Sequence, residues 1–290
     1  MIRFRHYAAA LAACAFVFGA ASVATAQLAL PYTDDFQTLS PGSAWIASGS
    51  TATISNLATS PTTDTWQVVS GTPQQYQNVL TGSGSMKGTA VQQFLGLGPV
   101  SSADNFLMSA VLQPVSTAGS ANATEGLRFL ASSATSVNSS YVADINVGSN
   151  PGRLRLVTWN SSGTATIEPS TTQTLQPLIP NFSTSNSYTE QVAGTYNTPA
   201  AGDLTLTITV TQVGNSANSV TYTYTDTAPN TGNYFGFFDS YSSGITSLTA
   251  DYSNLSLKTV ATPEPSTVVL LGTGAVVLLA SVRRWRRRVA

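Results

Sequence analysis

The sequence predicts an all-β protein, an antiparallel two-sheet sandwich, and three observations carry that expectation. About three residues in ten between Gln27 and Val260 are Ser or Thr, with many Gly and Asn, a composition that favours strands and turns over helices. Apolar and threonine residues alternate without exception in Leu204-Thr205-Leu206-Thr207-Ile208-Thr209-Val210, and Val220-Thr221-Tyr222-Thr223-Tyr224 repeats the pattern. No segment shows a helical period. With 9% charged residues and 9% aromatic ones, the chain also lacks the composition of a disordered segment.

Each element follows from the same period of two. Strands are expected at Phe106 to Leu112, Gly126 to Leu130, Tyr141 to Val147, Arg153 to Trp159, Tyr188 to Ala193, Tyr234 to Phe238 and Leu248 to Leu257. The two Thr-rich strands flank Val213-Gly214-Asn215, a turn signal, and so form a hairpin. In the last strand the apolar frame shifts between Tyr252 and Leu255, as a bulge at Ser253-Asn254 requires. No internal repeat occurs, and the first linker-like stretch is Thr259 to Pro265. A body of this length buries one substantial core.

The two ends read as targeting segments. Arg3, Arg5 and His6 precede an apolar stretch, Tyr7 to Val23, that closes on Ala24-Thr25-Ala26, a signal-peptide pattern with cleavage expected between Ala26 and Gln27. At the other end Pro263-Glu264-Pro265-Ser266 is followed by an apolar run from Thr267 to Val282 and then by Arg283-Arg284-Trp285-Arg286-Arg287-Arg288. The two prolines keep the Pro-Glu-Pro extended outside the segment that follows. That segment is expected to be a single, short transmembrane helix, because a comfortable span needs about 20 residues. The arginines hold the C-terminus in the cytoplasm, with everything upstream outside. Three domains result: signal peptide 1–26, β-sandwich 27–258 and sorting tail 259–290.

This three-part tail resembles the PEP-CTERM sorting signal of exopolysaccharide-producing Gram-negative bacteria. The resemblance implies that Pro263, Glu264, Pro265 and Ser266 mark the site an exosortase recognises, with Arg283, Arg284, Arg286, Arg287 and Arg288 as the stop. It implies exosortase and signal peptidase as partners during export. It also implies a transient anchor in the inner membrane and a final place at the cell surface or in the exopolysaccharide layer.

Removing the ends excludes whole classes of chemistry. The chain's one Cys, Cys14, and one His, His6, lie in the signal peptide, so the body has no thiolate, no imidazole and no disulfide. No Ser-His-Asp triad, Cys-His nucleophile or His-based zinc site can form. Between Gln27 and Val260 stand twelve Asp and Glu against five Lys and Arg, a net charge near −7. Such a body does not bind nucleic acid by neutralising phosphates.

From Asp34-Asp35-Phe36 through Gly126-Leu127-Arg128-Phe129, Tyr141 to Asn146 and Tyr234-Phe235-Gly236-Phe237-Phe238 to Tyr252-Ser253-Asn254-Leu255, the body resembles concanavalin A-like lectin and glucanase jelly rolls. The resemblance implies a two-sheet jelly roll whose concave sheet can hold a carbohydrate. The Glu-x-Asp-x-x-Glu strand of the glucanases is absent: Glu125, Glu168 and Glu190 stand apart from other acids. A hydrolase would need two carboxyls brought together in space.

Alternation places one candidate patch. If Tyr141, Ala143, Ile145 and Val147 face the core, then Asp144 and Asn146 face the other way, and Arg128, Arg155 and Trp159 oppose their own apolar neighbours. Two readings of Arg128, Asp144, Asn146, Arg155 and Trp159 stand side by side. An indole with carboxylate, amide and guanidinium groups suits a sugar, while an Asp144 paired with Arg128 or Arg155 is an ordinary cross-strand ion pair. Asp144-x-Asn146 with Asn150, or Asp34-Asp35, offers oxygen donors of the kind calcium takes, although neither has the acid density of a dedicated loop. No other cofactor is expected. The favoured function is a non-catalytic structural or adhesive protein of the exopolysaccharide layer, with a lectin-like module and a glycan-cleaving hydrolase as alternatives.

Overall fold

A computed structural model describes residues 30–36, 63–69, 75–82, 86–93, 105–119, 121–133, 136–196 and 202–260. The expected signal peptide, transmembrane segment and sorting tail lie outside them. Fourteen strands form: β1 (Tyr32–Asp34), β2 (Thr63–Val69), β3 (Gln75–Thr81), β4 (Met86–Gln93), β5 (Asn105–Gly119), β6 (Ala123–Ala131), β7 (Ser140–Asn146), β8 (Leu154–Trp159), β9 (Ala165–Glu168), β10 (Tyr188–Tyr196), β11 (Leu204–Gln212), β12 (Asn215–Asp226), β13 (Tyr234–Tyr241) and β14 (Ile245–Val260). All described pairings between them are antiparallel. One sheet runs β12-β11-β10-β5-β14-β3-β2, with β1 also on β14, and the other runs β4-β13-β6-β7-β8-β9. The expected antiparallel two-sheet sandwich is the fold observed.

The Thr-rich hairpin forms as its alternation requires. Leu204, Leu206, Ile208 and Val210 are fully buried, while Thr205, Thr207 and Thr209 face out and meet Thr225, Thr223 and Thr221 at 3.1, 3.5 and 3.1 Å between hydroxyl oxygens. Gly214 turns the chain at φ 78°. The bulge in β14 falls where the apolar frame shifts, between Ser253 and Ser256, with Asn254 at φ 53°. It splits one side of this long strand, so that β3 pairs with Ser247 to Tyr252 and β1 with Leu255 to Leu257.

Between the sheets the core is aromatic. Phe237 of the six-stranded sheet stacks on Tyr252 of the other, with centroids 4.3 Å apart, and Trp66 stacks on Tyr76 at 5.2 Å. Phe36 stacks on Tyr76 at 5.5 Å. Asp34 accepts the Phe36 amide at 2.8 Å and the Tyr32 hydroxyl at 2.7 Å, which fixes the turn that delivers Phe36 to the core.

The six-stranded sheet is covered on both faces at its centre: every residue of β6 and β7 is buried. Its inner face supplies Leu127, Phe129, Tyr141, Ala143, Ile145, Leu154 and Leu156 to the main core. Its outer face carries a smaller cluster of Val137, Val142, Val157 and Phe238, against which Trp159 and Ile167 pack.

Candidate functional site: the outer face of the six-stranded sheet

The registers decide which side chains share that outer face. Gly126 stands opposite Asp144, Asp144 opposite Arg155, Arg128 opposite Val142, Ser140 opposite Trp159 and Thr124 opposite Asn146. On the other side of β6, Thr124 pairs with Ser240, and Ser240 with Lys87 of β4. All five residues singled out from the sequence therefore project from one face, joined by Lys87, Thr124 and Ser240.

They do not form one open patch. Asp144 is fully buried and holds Arg155 in a two-pronged pair, Nε to Oδ1 at 2.5 Å and Nη2 to Oδ2 at 2.9 Å. Arg155 is thus the partner of Asp144, and its Nη2 also donates to Thr124 Oγ1 at 3.2 Å. The Thr124 and Ser240 hydroxyls lie 2.9 Å apart. A polar chain runs from Asp144 through Arg155 and Thr124 to Ser240, beside Lys87. Arg128 is withdrawn: it is fully buried and donates through Nη2 to the carbonyls of Ser133 (2.8 Å) and Ser136 in the loop after β6. Burial lowers its pKa to about 10. Asn146 is also structural, accepting the Gly148 amide at 3.0 Å and donating to Asn122 at 3.3 Å.

Lys87 and Trp159 show how far the sheet curls. Strands β13, β6 and β7 separate β4 from β8, four inter-strand steps that span about 19 Å in a flat sheet. Yet Lys87 Nζ sits 4.0 Å from the centre of the Trp159 ring. The outer face is therefore concave. Gly126 and Gly236 permit this, because a Cβ at either would lie 2.0 Å from a carbonyl oxygen of the neighbouring strand, Ala143 or Ala90. Burial, followed by the charge of Arg155, lowers the Lys87 pKa below its ordinary value. The indole Nε1 of Trp159 is buried and has no hydrogen-bond partner among the described residues.

Acids gather on the opposite side of the same sheet. Glu125 of β6, Asp239 of β13 and Glu190 of β10 are fully buried between the sheets. Asp239 accepts the Tyr252 hydroxyl at 2.5 Å and the Asn78 amide at 2.8 Å. Burial nevertheless raises its pKa to about 7. Burial, with Asp239 and Asp251 nearby, holds Glu125 well above the usual carboxylate range. Glu190 is raised by burial and then by Asp144 and Glu125; the Leu127 amide opposes that shift without making a hydrogen bond of ordinary geometry. These carboxyls are distant in sequence and meet in the core. Among the described residues, Asp144 is the sole carboxylate on the concave face.

Neither candidate calcium set is free to ligate as arranged. Both Asp144 oxygens are on Arg155, Asn150 donates to Gln173 at 2.5 Å, and Asp34 serves Phe36 and Tyr32. Among the described residues no three His, Cys, Asp or Glu side chains converge as a metal site.

Comparison with known proteins adds one sequence match. Residues 261–288 match the PEP-CTERM protein-sorting motif. The chain thus carries the signal for exosortase-processed export, with transient membrane anchoring through its C-terminus. No curated protein matches the chain in sequence. Solved structures similar to it include a marine PL-14 alginate lyase from Aplysia kurodai, at 12% identity over 69% of this chain and 91% of that one, with a TM-score of 0.41. The carbohydrate-binding module CBM66 from Bacillus subtilis aligns at 12% identity over 68% of this chain and 94% of the module, with a TM-score of 0.38. Lectin II from Ulex europaeus aligns at 11% identity over 68% and 91%, with a TM-score of 0.35. The strand registers above define the fold independently of these likenesses.

Proposed function

We propose that this is an exported protein of the cell surface or exopolysaccharide matrix, processed at Pro263-Glu264-Pro265 and acting there without catalysis. The observation that carries the reading is the sorting motif at 261–288, which follows directly on the last described strand, Ile245–Val260. The distribution of carboxyls supports a non-catalytic role. Glycoside hydrolysis needs two carboxyl groups about 5 to 9.5 Å apart at an accessible site. Here Glu125, Glu190 and Asp239 are sealed between the sheets, while Asp144 is committed to Arg155.

A second reading overlaps the first: the concave face holds a saccharide. It is favoured by the half-buried Trp159, whose indole N–H has no acceptor among the described residues and whose ring centre lies 4.0 Å from Lys87 Nζ. Trp159→Ala is then expected to weaken retention on a polysaccharide while the body stays folded; unchanged retention removes that site.

Intact mass and location in membrane, surface and medium fractions test the first reading. It expects a species that begins at Gln27, lacks the arginine cluster and lies outside the inner membrane. A full-length C-terminus kept in the inner membrane would overturn it.

A further inference from the structure

We infer that the ligand of the concave face is anionic, a polysaccharide bearing carboxylate or sulfate groups. The inference rests on the saccharide-binding reading of that face and names its substrate class. It starts from how the chain distributes charge. Of the five Lys and Arg between Gln27 and Val260, three (Lys87, Arg128 and Arg155) project from this one face of an otherwise acidic body, where among the described residues Asp144 alone opposes them. Asp144 is taken by Arg155, and the Arg128 guanidinium is turned into the carbonyls of Ser133 and Ser136.

That leaves Lys87. Its ammonium is half-buried against the Trp159 ring, and the described residues supply it with no ion pair. Within the same contact the Trp159 indole N–H is buried without an acceptor among the described residues. Two donors without acceptors at one place call for ligand oxygens. A neutral hydroxyl satisfies the indole but leaves the ammonium uncompensated; a carboxylate or sulfate answers both, and partial burial strengthens its attraction to Lys87. Burial and the neighbouring Arg155 already disfavour the charged Lys87, a penalty that an arriving anion relieves. A polyphosphate chain of high charge density would instead meet the net negative body.

The test is retention of the full chain, purified in mild detergent, on immobilised polygalacturonate, dextran sulfate and uncharged dextran across a salt series. The expected result is retention on the anionic polymers about tenfold stronger than on dextran and falling as salt rises. The ratio between polygalacturonate and dextran sulfate tells which anion is held. Lys87→Met, which keeps an apolar stem over Trp159, loses about tenfold on the anionic polymers at an unchanged melting temperature, and Lys87→Arg restores it. Equal, salt-insensitive retention on dextran overturns the anionic assignment and leaves the saccharide reading standing, with no variant needed. Retention on none of the three overturns both.

Discussion

The inner face of the six-stranded sheet carries Glu125 and Asp239, and the outer face carries Lys87, Arg128 and Arg155 with Asp144. Residues one position apart on the same strand therefore meet opposite electrostatic surroundings. Inside, Glu125 and Asp239 join Glu190 with no cation to pair with among the described residues, and burial raises the pKa of all three. Outside, the polar groups are handled by pairing, by carbonyls or by an aromatic ring. The difference teaches that burial raises the pKa of the inner carboxyls, while three of the five Lys and Arg between Gln27 and Val260 gather on the outer face, where the described residues leave only Lys87 without a charged or carbonyl partner.

The comparison breaks most severely at Asp144. Asp144→Ala leaves the Arg155 guanidinium, only 17% exposed, without its carboxylate, and unfolding in urea at pH 7 should show a loss of about 3 kcal/mol. A loss below about 1 kcal/mol would mean that the pair is solvent-screened and the face more open than its burial indicates.

The inner carboxyls set the pH dependence. Below the ordinary carboxyl range, both folded and unfolded chains hold these protons. As pH rises, the unfolded chain releases them first, so the folded state binds more protons and stability falls until pH passes the folded value. For Asp239 the window runs from about 4 to about 7, with a slope of about 1.4 kcal/mol per pH unit. Melting should therefore be higher at pH 5 than at pH 8; the opposite order would contradict neutral carboxyls in the core. Glu190→Gln, which keeps the shape and removes the acid, should raise stability at pH 8 relative to its effect at pH 4. At the small end, Lys87→Met should change stability by less than about 0.5 kcal/mol, because the residue is half-buried at an edge strand.

Much of the fold was legible in sequence because β10 and β11 bury one face and expose the other, leaving a clean period of two. The first four strands escaped that reading. In β3 the inward set is Tyr76, Asn78 and Leu80, and Asn78 breaks the apolar pattern because it faces Asp239 in the core. β9 is two exposed and two half-exposed residues at an edge, too short to declare itself. The site was legible to the same extent. Alternation on β7 and β8 put Asp144, Arg155 and Trp159 on one face, but only register could select Arg155 over Arg128 as the partner of Asp144. Lys87 was out of reach, since it comes from β4 and meets Trp159 only through the curl of the sheet. The buried acid cluster likewise draws Glu125, Glu190 and Asp239 from three strands with no local signal.

That the concave face, rather than the Thr-rich sheet, receives the ligand is tested most directly by the indole N–H resonances. The full chain in detergent micelles would be titrated with oligogalacturonate. The account predicts that the Trp159 signal moves, because its ring lies against Lys87 on the binding face and its N–H has no acceptor among the described residues, while that of Trp66, buried between the sheets, stays in place. An unmoved Trp159 with changes confined to β10, β11 and β12 would place the ligand on the other sheet and contradict it.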